Sequence, residues 1–451
     1  MKVLWICNLI LPEVAQNLGL GTIPKEGWVK SMFDAMLKDA SCDADISIAF
    51  PVGNDMLKGD DILRGFISGS VRLAEFGGKE LRYYGFYEDT AHESVYDKVL
   101  EQEFAGIYKM EQPDLVHSFG TEFPHTLAAA KVWDNPMTFM IGIQGICEIY
   151  ATRYTAQLPE DIINKRTFRD LLKKDGINDG HNKFVKRGEN EIAAVKLAGN
   201  IFGRTDFDRE FAMRHNPDAK YFHGGENLRT PFYSGEWSAE NAERGRLFVS
   251  QADYPIKGFH YLLIAVGELL KSGRCPENLS VYVAGHTIMG YDTLKEKIKI
   301  SGYGKYLRSL MDKYNLWDRV HILGRLSAEQ MKEQYQKCDT FVCCSSCENS
   351  PNSLGEAMML GVPVVTAGVG GISSMFTAGV DGFLYRNEPE DSLEDVTKAL
   401  ADALVERWNC DKLDELRANA HAHAMKNHNR EANAAEMLEH YRTIYENNLC
   451  V

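Results

Sequence analysis

Short unbroken apolar runs alternate along this chain with amphipathic segments of helical length. Residues 2–11 (KVLWICNLIL) have no polar face, as a strand covered on both sides in a parallel sheet requires. A glycine-containing loop (NLGLGTIPKEG) follows, and then Val29, Met32, Phe33, Met36 and Leu37 recur at helical spacing. The alternation continues with strand patterns at 46–50, 115–118, 138–143 and 200–203, and helical patterns at 94–110 and 122–131. Residues 222–236, rich in Gly, Asn and Pro, read as a linker. Beyond them the alternation restarts, with strands at 247–251, 280–285 and 319–324 and helices after 257 and at 327–337. With 451 residues, too many for one ordinary core, the pattern predicts an α/β protein of two doubly wound, Rossmann-like domains, 1–226 and 227–429.

The most informative stretch is 339–371, DTFVCCSSCENSPNSLGEAMMLGVPVVTAGVGG. It predicts a buried strand (340–344), a polar turn (345–350), a short helix (351–360) and a second buried strand (362–367). Ser350 suits an N-cap and Pro351 the first helical position, which leaves the amides of Asn352 and Ser353 open. Gly361 and Pro363 end the helix. A helix opening at the carboxyl end of a parallel strand favours an anion, because free N–H groups and the positive dipole end meet there. Glu348 and Glu356 flank that opening. A carboxylate beside a phosphate is repelled unless neutral hydroxyls bond to it, so the arrangement suits a nucleotide-sugar, whose phosphates lie between two polyols. Two surface glutamates on a structural turn are the alternative.

From Glu348-Asn-Ser-Pro-Asn-Ser-Leu-Gly-Glu356-Ala-Met, through Leu-Gly-Val-Pro-Val-Val to Gly370-Gly371-Ile372, the stretch resembles the donor motif of retaining GT-B glycosyltransferases, the glycosyl transferases group 1 family, which is glycogen synthase-like (family four). The resemblance implies two domains facing an interdomain cleft, with the final helix, 430–451, crossing back onto the first. Lys257-Gly258 matches the family's phosphate-binding Lys-Gly. The arginine frequent six residues earlier is Gln251 here, so Arg204, at a strand end, or Arg325 is expected to supply the second cation. Donor contacts are further implied at Arg325, Leu326, Pro351, Asn352, Ser353, Leu354 and Glu356. Glu348 would hold the transferred sugar and Glu356 the ribose. On the acceptor side, Gly27 (beside Glu26) matches one of the family's paired glycines, and Gln144-Gly145 stands where many members have His-Gly. Glutamine bonds in both directions but takes no proton near neutral pH, so Gln144 would orient groups. Ser374 replaces a glutamate common in the family.

The implied reaction moves a sugar, with retention, from a UDP- or GDP-linked donor to a hydroxyl of a glycan, glycolipid or small molecule. A non-catalytic nucleotide-sugar-binding subunit of the same fold, or a GT-B epimerase or phosphorylase, is the alternative. A net charge of −14 argues against nucleic acid as a partner. The basic residues of 161–191 (Lys165, Arg166, Arg169, Lys173, Lys174, Lys183, Lys186, Arg187) fit either a solvated helical hairpin or weak peripheral contact with a lipid-linked acceptor. With neither a signal-like start nor a run of ~20 apolar residues, a cytoplasmic protein is expected, at most at the inner face of the membrane. Ten cysteines without regular spacing suit a reducing compartment. Cys343, Cys344 and Cys347 are expected to be strand and turn residues, and His421, His423 and His428 a helical surface, rather than metal ligands. No Asp-x-Asp stands out for a divalent ion, so no metal and no cofactor are expected.

Overall fold

The computed structural model describes residues 1–20, 27–89, 91–285 and 293–449. Gly21 and Glu26 of the first loop, and the last two residues of the 430–451 helix, lie outside them. The chain divides into two compact units: Met1–Glu148, Lys183–Asn227 and His428–Val451 form one, and Ile149–Asn182 and Leu228–Asn427 form the other.

In the first unit the strands are β1 (Lys2–Cys7), β2 (Asp45–Val52), β3 (Phe66–Leu73), β4 (Lys79–Tyr87), β5 (Leu115–Phe119), β6 (Phe139–Gly142), β7 (Asn200–Gly203) and β8 (Lys220–His223). Their order is β3-β4-β2-β1-β5-β6-β7-β8, parallel except for β3 against β4. The apolar run of β1 is buried from Val3 to Cys7, as its central place demands. The Arg430–Leu449 helix belongs to this unit, where Ala434, Met437, Leu438, Tyr441 and Ile444 join the core around Trp5 and Met36.

In the second unit the strands are β9 (Glu243–Val249), β10 (Ser280–Ala284), β11 (Val320–Gly324), β12 (Cys338–Cys343), β13 (Val364–Ala367) and β14 (Phe383–Tyr385), ordered β11-β10-β9-β12-β13-β14 and all parallel. The chain works outward from β9 through β10 to β11, then returns to β9's other side with β12. That reversal places a topological switch point between β9 and β12, where α/β sheets open a crevice at the strands' carboxyl ends.

Two findings depart from the sequence pattern. The β3–β4 hairpin was not anticipated, since its charged and glycine residues break the apolar runs that mark the central strands. The segment Ile149–Asn182, counted above in the first domain, packs within the second unit. Asp170, fully buried, caps its own short helix through Thr167 and also accepts the Gly302 amide at 2.8 Å, so part of the charged run is core rather than solvated hairpin. Among the described residues no helix is long and apolar enough to cross a membrane.

Around Gln144-Gly145 the first unit is held by Glu191, whose carboxyl accepts the Thr121 hydroxyl (2.5 Å) and the amides of Glu148 (3.0 Å) and Cys147 (3.2 Å). Burial pushes this carboxyl up to about 8, against those three donors. A folded-state value above the unfolded one contributes stability that is present at low pH and lost as pH rises through about 8. The Tm of Glu191→Gln relative to wild type should therefore rise between pH 5 and pH 9, by thermal melts, on top of a pH-independent loss of one accepted bond. A difference that stays constant or falls over that range contradicts this.

Candidate functional site

All the strands around β9 run in one direction, so the loops after β9, β12 and β13 emerge at the same end of the sheet. Backbone contacts join them. Ser346 donates its amide to the Ile256 carbonyl (2.8 Å), and Gly371 donates its amide to the Glu348 carbonyl (3.0 Å). Gly258 has φ 66° and opens the Phe259–Ser272 helix; a Cβ there would overlap the Cys344 carbonyl oxygen. Only glycine permits both that backbone conformation and that approach, which is why the residue after Lys257 is Gly.

This knitting brings Lys257 and Glu348 together, Nζ to Oε1 at 2.6 Å, with side chains 25% and 10% exposed. Ser345 donates its hydroxyl to the same oxygen (2.6 Å). Burial alone would depress the lysine's pKa; the Glu348 carboxylate more than offsets it, and the ammonium is held above the ordinary range. The Ile149–Asn182 segment supports the turn from behind. The Tyr150 hydroxyl accepts the Asn349 amide (3.2 Å), and Arg153 donates to the Ser346 carbonyl (3.1 Å) and to Asn387 (2.9 Å).

The helix after β12 runs from Asn352 to Met359, with Pro351 rather than Ser350 as its N-cap. Pro351 keeps an extended ψ of 118°, and its carbonyl already accepts the Leu354 and Gly355 amides, so the helix starts one residue later than the sequence suggested. The first two helical amides remain those of Asn352 and Ser353. At the far end the Val362 and Gly361 amides return to Ala357 and Met358, with Gly361 left-handed.

Glu356, 2% exposed, is gripped bidentately by Arg229: Nε to Oε1 at 2.6 Å and Nη2 to Oε2 at 2.7 Å. Burial raises the carboxyl's pKa and the guanidinium opposes it. Sequence reasoning missed Arg229, which sits in the stretch read as a linker. Its charge was the available signal, but nothing in the pattern tied it to a glutamate 127 positions away.

The other expected residues are distributed as follows. Gln251 follows β9 closely, and Arg325 and Leu326 follow β11, beside the Ser327 capping box of the Ala328–Lys337 helix. Leu354 is wholly buried. In the first unit, Gln144 and Gly145 follow β6, with the Gly145 amide on Glu122 (2.8 Å), and Gly27 begins the Gly27–Lys38 helix. Arg204 is ion-paired with Glu226 within that unit and donates to the Gln144 carbonyl (3.3 Å).

Burial holds Cys343 up at about 11 and Cys347 up at about 12, so both thiols stay protonated. His421, His423 and His428 bond separately to Met359, Asp381 and Glu226, and His428 is buried rather than on a helical surface. Among the described residues no group of three or more His, Cys, Asp or Glu could hold a metal ion.

The two doubly wound sheets are those of the GT-B glycosyltransferase fold, and solved structures agree. Sucrose-phosphate synthase from Thermosynechococcus elongatus covers 99% of this chain and 100% of its own at TM-score 0.63 and 14% identity. HepE from Anabaena, solved with UDP and glucose, covers 97% and 99% at TM-score 0.59 and 15% identity. Residues 236–423 match the family described as Glycosyl transferases group 1. A Salmonella typhimurium protein named as a putative colanic acid biosynthesis glycosyltransferase, WcaL, is 24% identical over 281 residues, 58% of this chain and 67% of its own. The Escherichia coli protein of the same name is 29% identical over 48% of this chain and 57% of its own.

Gly258 and Gly273 cap opposite ends of one helix with the same φ of 66° and ψ of 17°, but a Cβ at Gly273 meets nothing within 4 Å. Gly273→Ala should cost about 1 kcal/mol, the strain of the left-handed conformation. Gly258→Ala should cost at least ~2 kcal/mol more in urea unfolding, because a carbonyl must move. Equal costs would mean that the approach to Cys344 is not needed.

Proposed function

We propose that this protein is a retaining glycosyltransferase that binds a nucleoside diphosphate sugar at the β9–β12 switch point and transfers the sugar to a hydroxyl. The observation that carries this reading is the Lys257–Glu348 pair, with Glu348 just before the Asn352–Met359 helix whose first amides are those of Asn352 and Ser353. Three helix-bound or loop-bound donors next to a carboxylate match a phosphate joined to a carbohydrate.

In the reaction the bond from the anomeric carbon to the β-phosphate oxygen breaks, its electron pair leaves with the phosphate, and the acceptor oxygen bonds to the same carbon. The acceptor's proton passes to the departing phosphate oxygen. Stabilising the charge that grows on that phosphate is the main catalytic task. Lys257 and the helix mouth do this, Glu348 holds the transferred sugar through hydroxyl bonds, and Glu356 takes the ribose. Gly258, Arg325, Leu326, Pro351 and Leu354 complete the donor's surroundings. The acceptor falls to the first unit, at Gly27, Gln144, Gly145 and Arg204. Relatives named for colanic acid and Vi polysaccharide biosynthesis favour a glycan acceptor, and neighbours solved with UDP make UDP-sugars the first donors to try. A fixed lysine and a helix end stand in place of a divalent ion, and the reaction is expected to be independent of added metal.

Nucleotide release from a panel of UDP-, GDP- and ADP-sugars tests this. Lys257→Ala should lower turnover by roughly 100- to 1000-fold with the fold intact by circular dichroism. A loss of less than about tenfold contradicts the assignment. With the active donor, EDTA should leave the rate unchanged, and a rate abolished by EDTA and restored by Mg²⁺ overturns metal independence.

A further inference from the structure

A diphosphate brings more negative charge than one lysine and a helix mouth neutralise, and the place where a second cation was expected holds Gln251. Arg204 belongs to the first unit, not to the unit that carries Lys257 and Glu348. Arg325 follows β11, three strands from β12, which at a strand spacing of about 4.8 Å puts it roughly 14 Å to the side. Arg153 lies closer, but its bonds go to the carbonyls of Ser346 and Asn387 and to the Asn387 side chain.

Arg229 stands differently. A helical side chain leans toward its helix's N-terminus, so the Glu356 carboxylate covers the turn that begins at Asn352, the first turn of that helix. The guanidinium bonded to that carboxylate at 2.6 and 2.7 Å therefore lies beside the same turn. Of its five N–H groups Glu356 takes one on Nε and one on Nη2. Nη1 makes no bond to a described residue, and the side chain is 18% exposed.

We propose that Arg229 is the second phosphate-binding cation of this site. Nε and Nη2 keep Glu356 a carboxylate for the ribose hydroxyls, while the remaining N–H groups take the diphosphate. This rests on the donor reading above, and it assigns to a residue in the 222–236 stretch the role first expected of Arg204 or Arg325.

Arg229→Gln alone would strand a buried carboxylate, so the comparison belongs in a Glu356→Gln background, where that carboxylate is already gone and the two variants differ only in the guanidinium. Titration calorimetry with UDP and with uridine, on Glu356→Gln and on Glu356→Gln/Arg229→Gln, isolates the cation. The double variant should bind UDP about 10- to 100-fold more weakly than the single one, with uridine affinity unchanged. Arg229→Lys in the wild-type background should keep most of the preference for UDP over uridine. Equal UDP affinities in the two Gln variants, or equal losses for UDP and uridine, overturn the proposal. If the wild-type protein binds none of UDP, GDP and ADP, the donor reading itself fails, and this inference with it.

Discussion

β9 and β12 are hydrogen-bonded neighbours, although β10 and β11 come between them in the chain, and this pairing is the constraint on which the candidate site depends. One connection leaves β9 toward one edge of the sheet and the next leaves β12 toward the other, so the two loops part and open a crevice. The Ser346–Ile256 and Gly371–Glu348 backbone bonds and the Gly258–Cys344 contact then fix the loops at the crevice floor. Lys257 and Glu348 meet because their backbones are held, and neither long side chain has to find the other at the cost of its rotamer freedom.

The charges at the crevice come in pairs. Lys257 pairs with Glu348 and Arg229 with Glu356, so the charges balance locally, and burial makes the Glu356 carboxylate costly without its guanidinium. A site arranged in this way has its donors and acceptors oriented before a ligand arrives, so binding does not have to order them. The same economy explains the buried thiols on the β12 side of the crevice: Cys343 and Cys347 fill space without adding charge.

Much of this was legible in the sequence, and the exceptions share a cause. The strand-turn-helix-strand order of 339–371 follows from local signals, namely apolar runs, a proline and a Gly-x-Pro, and all of them act within a few residues. Pro351 took the cap from Ser350 because its extended ψ and its carbonyl, which accepts the Leu354 and Gly355 amides, are backbone properties that outweigh the side-chain preference. Arg229 was invisible because its partner is remote in the chain, and Asp170 because a buried cap for Gly302 reads, residue by residue, as one more charge in a charged run. The β3–β4 hairpin lies at a sheet edge, where charged residues are tolerated and the apolar signal fades.

A crystal structure of the protein soaked with a nucleoside diphosphate tests the central claim most directly. The account predicts the β-phosphate within hydrogen-bond distance of the Asn352 and Ser353 amides and of Lys257 Nζ, with the ribose hydroxyls on Glu356. A diphosphate bound away from the β9–β12 crevice, or a crevice that stays empty at saturating nucleotide, would contradict it.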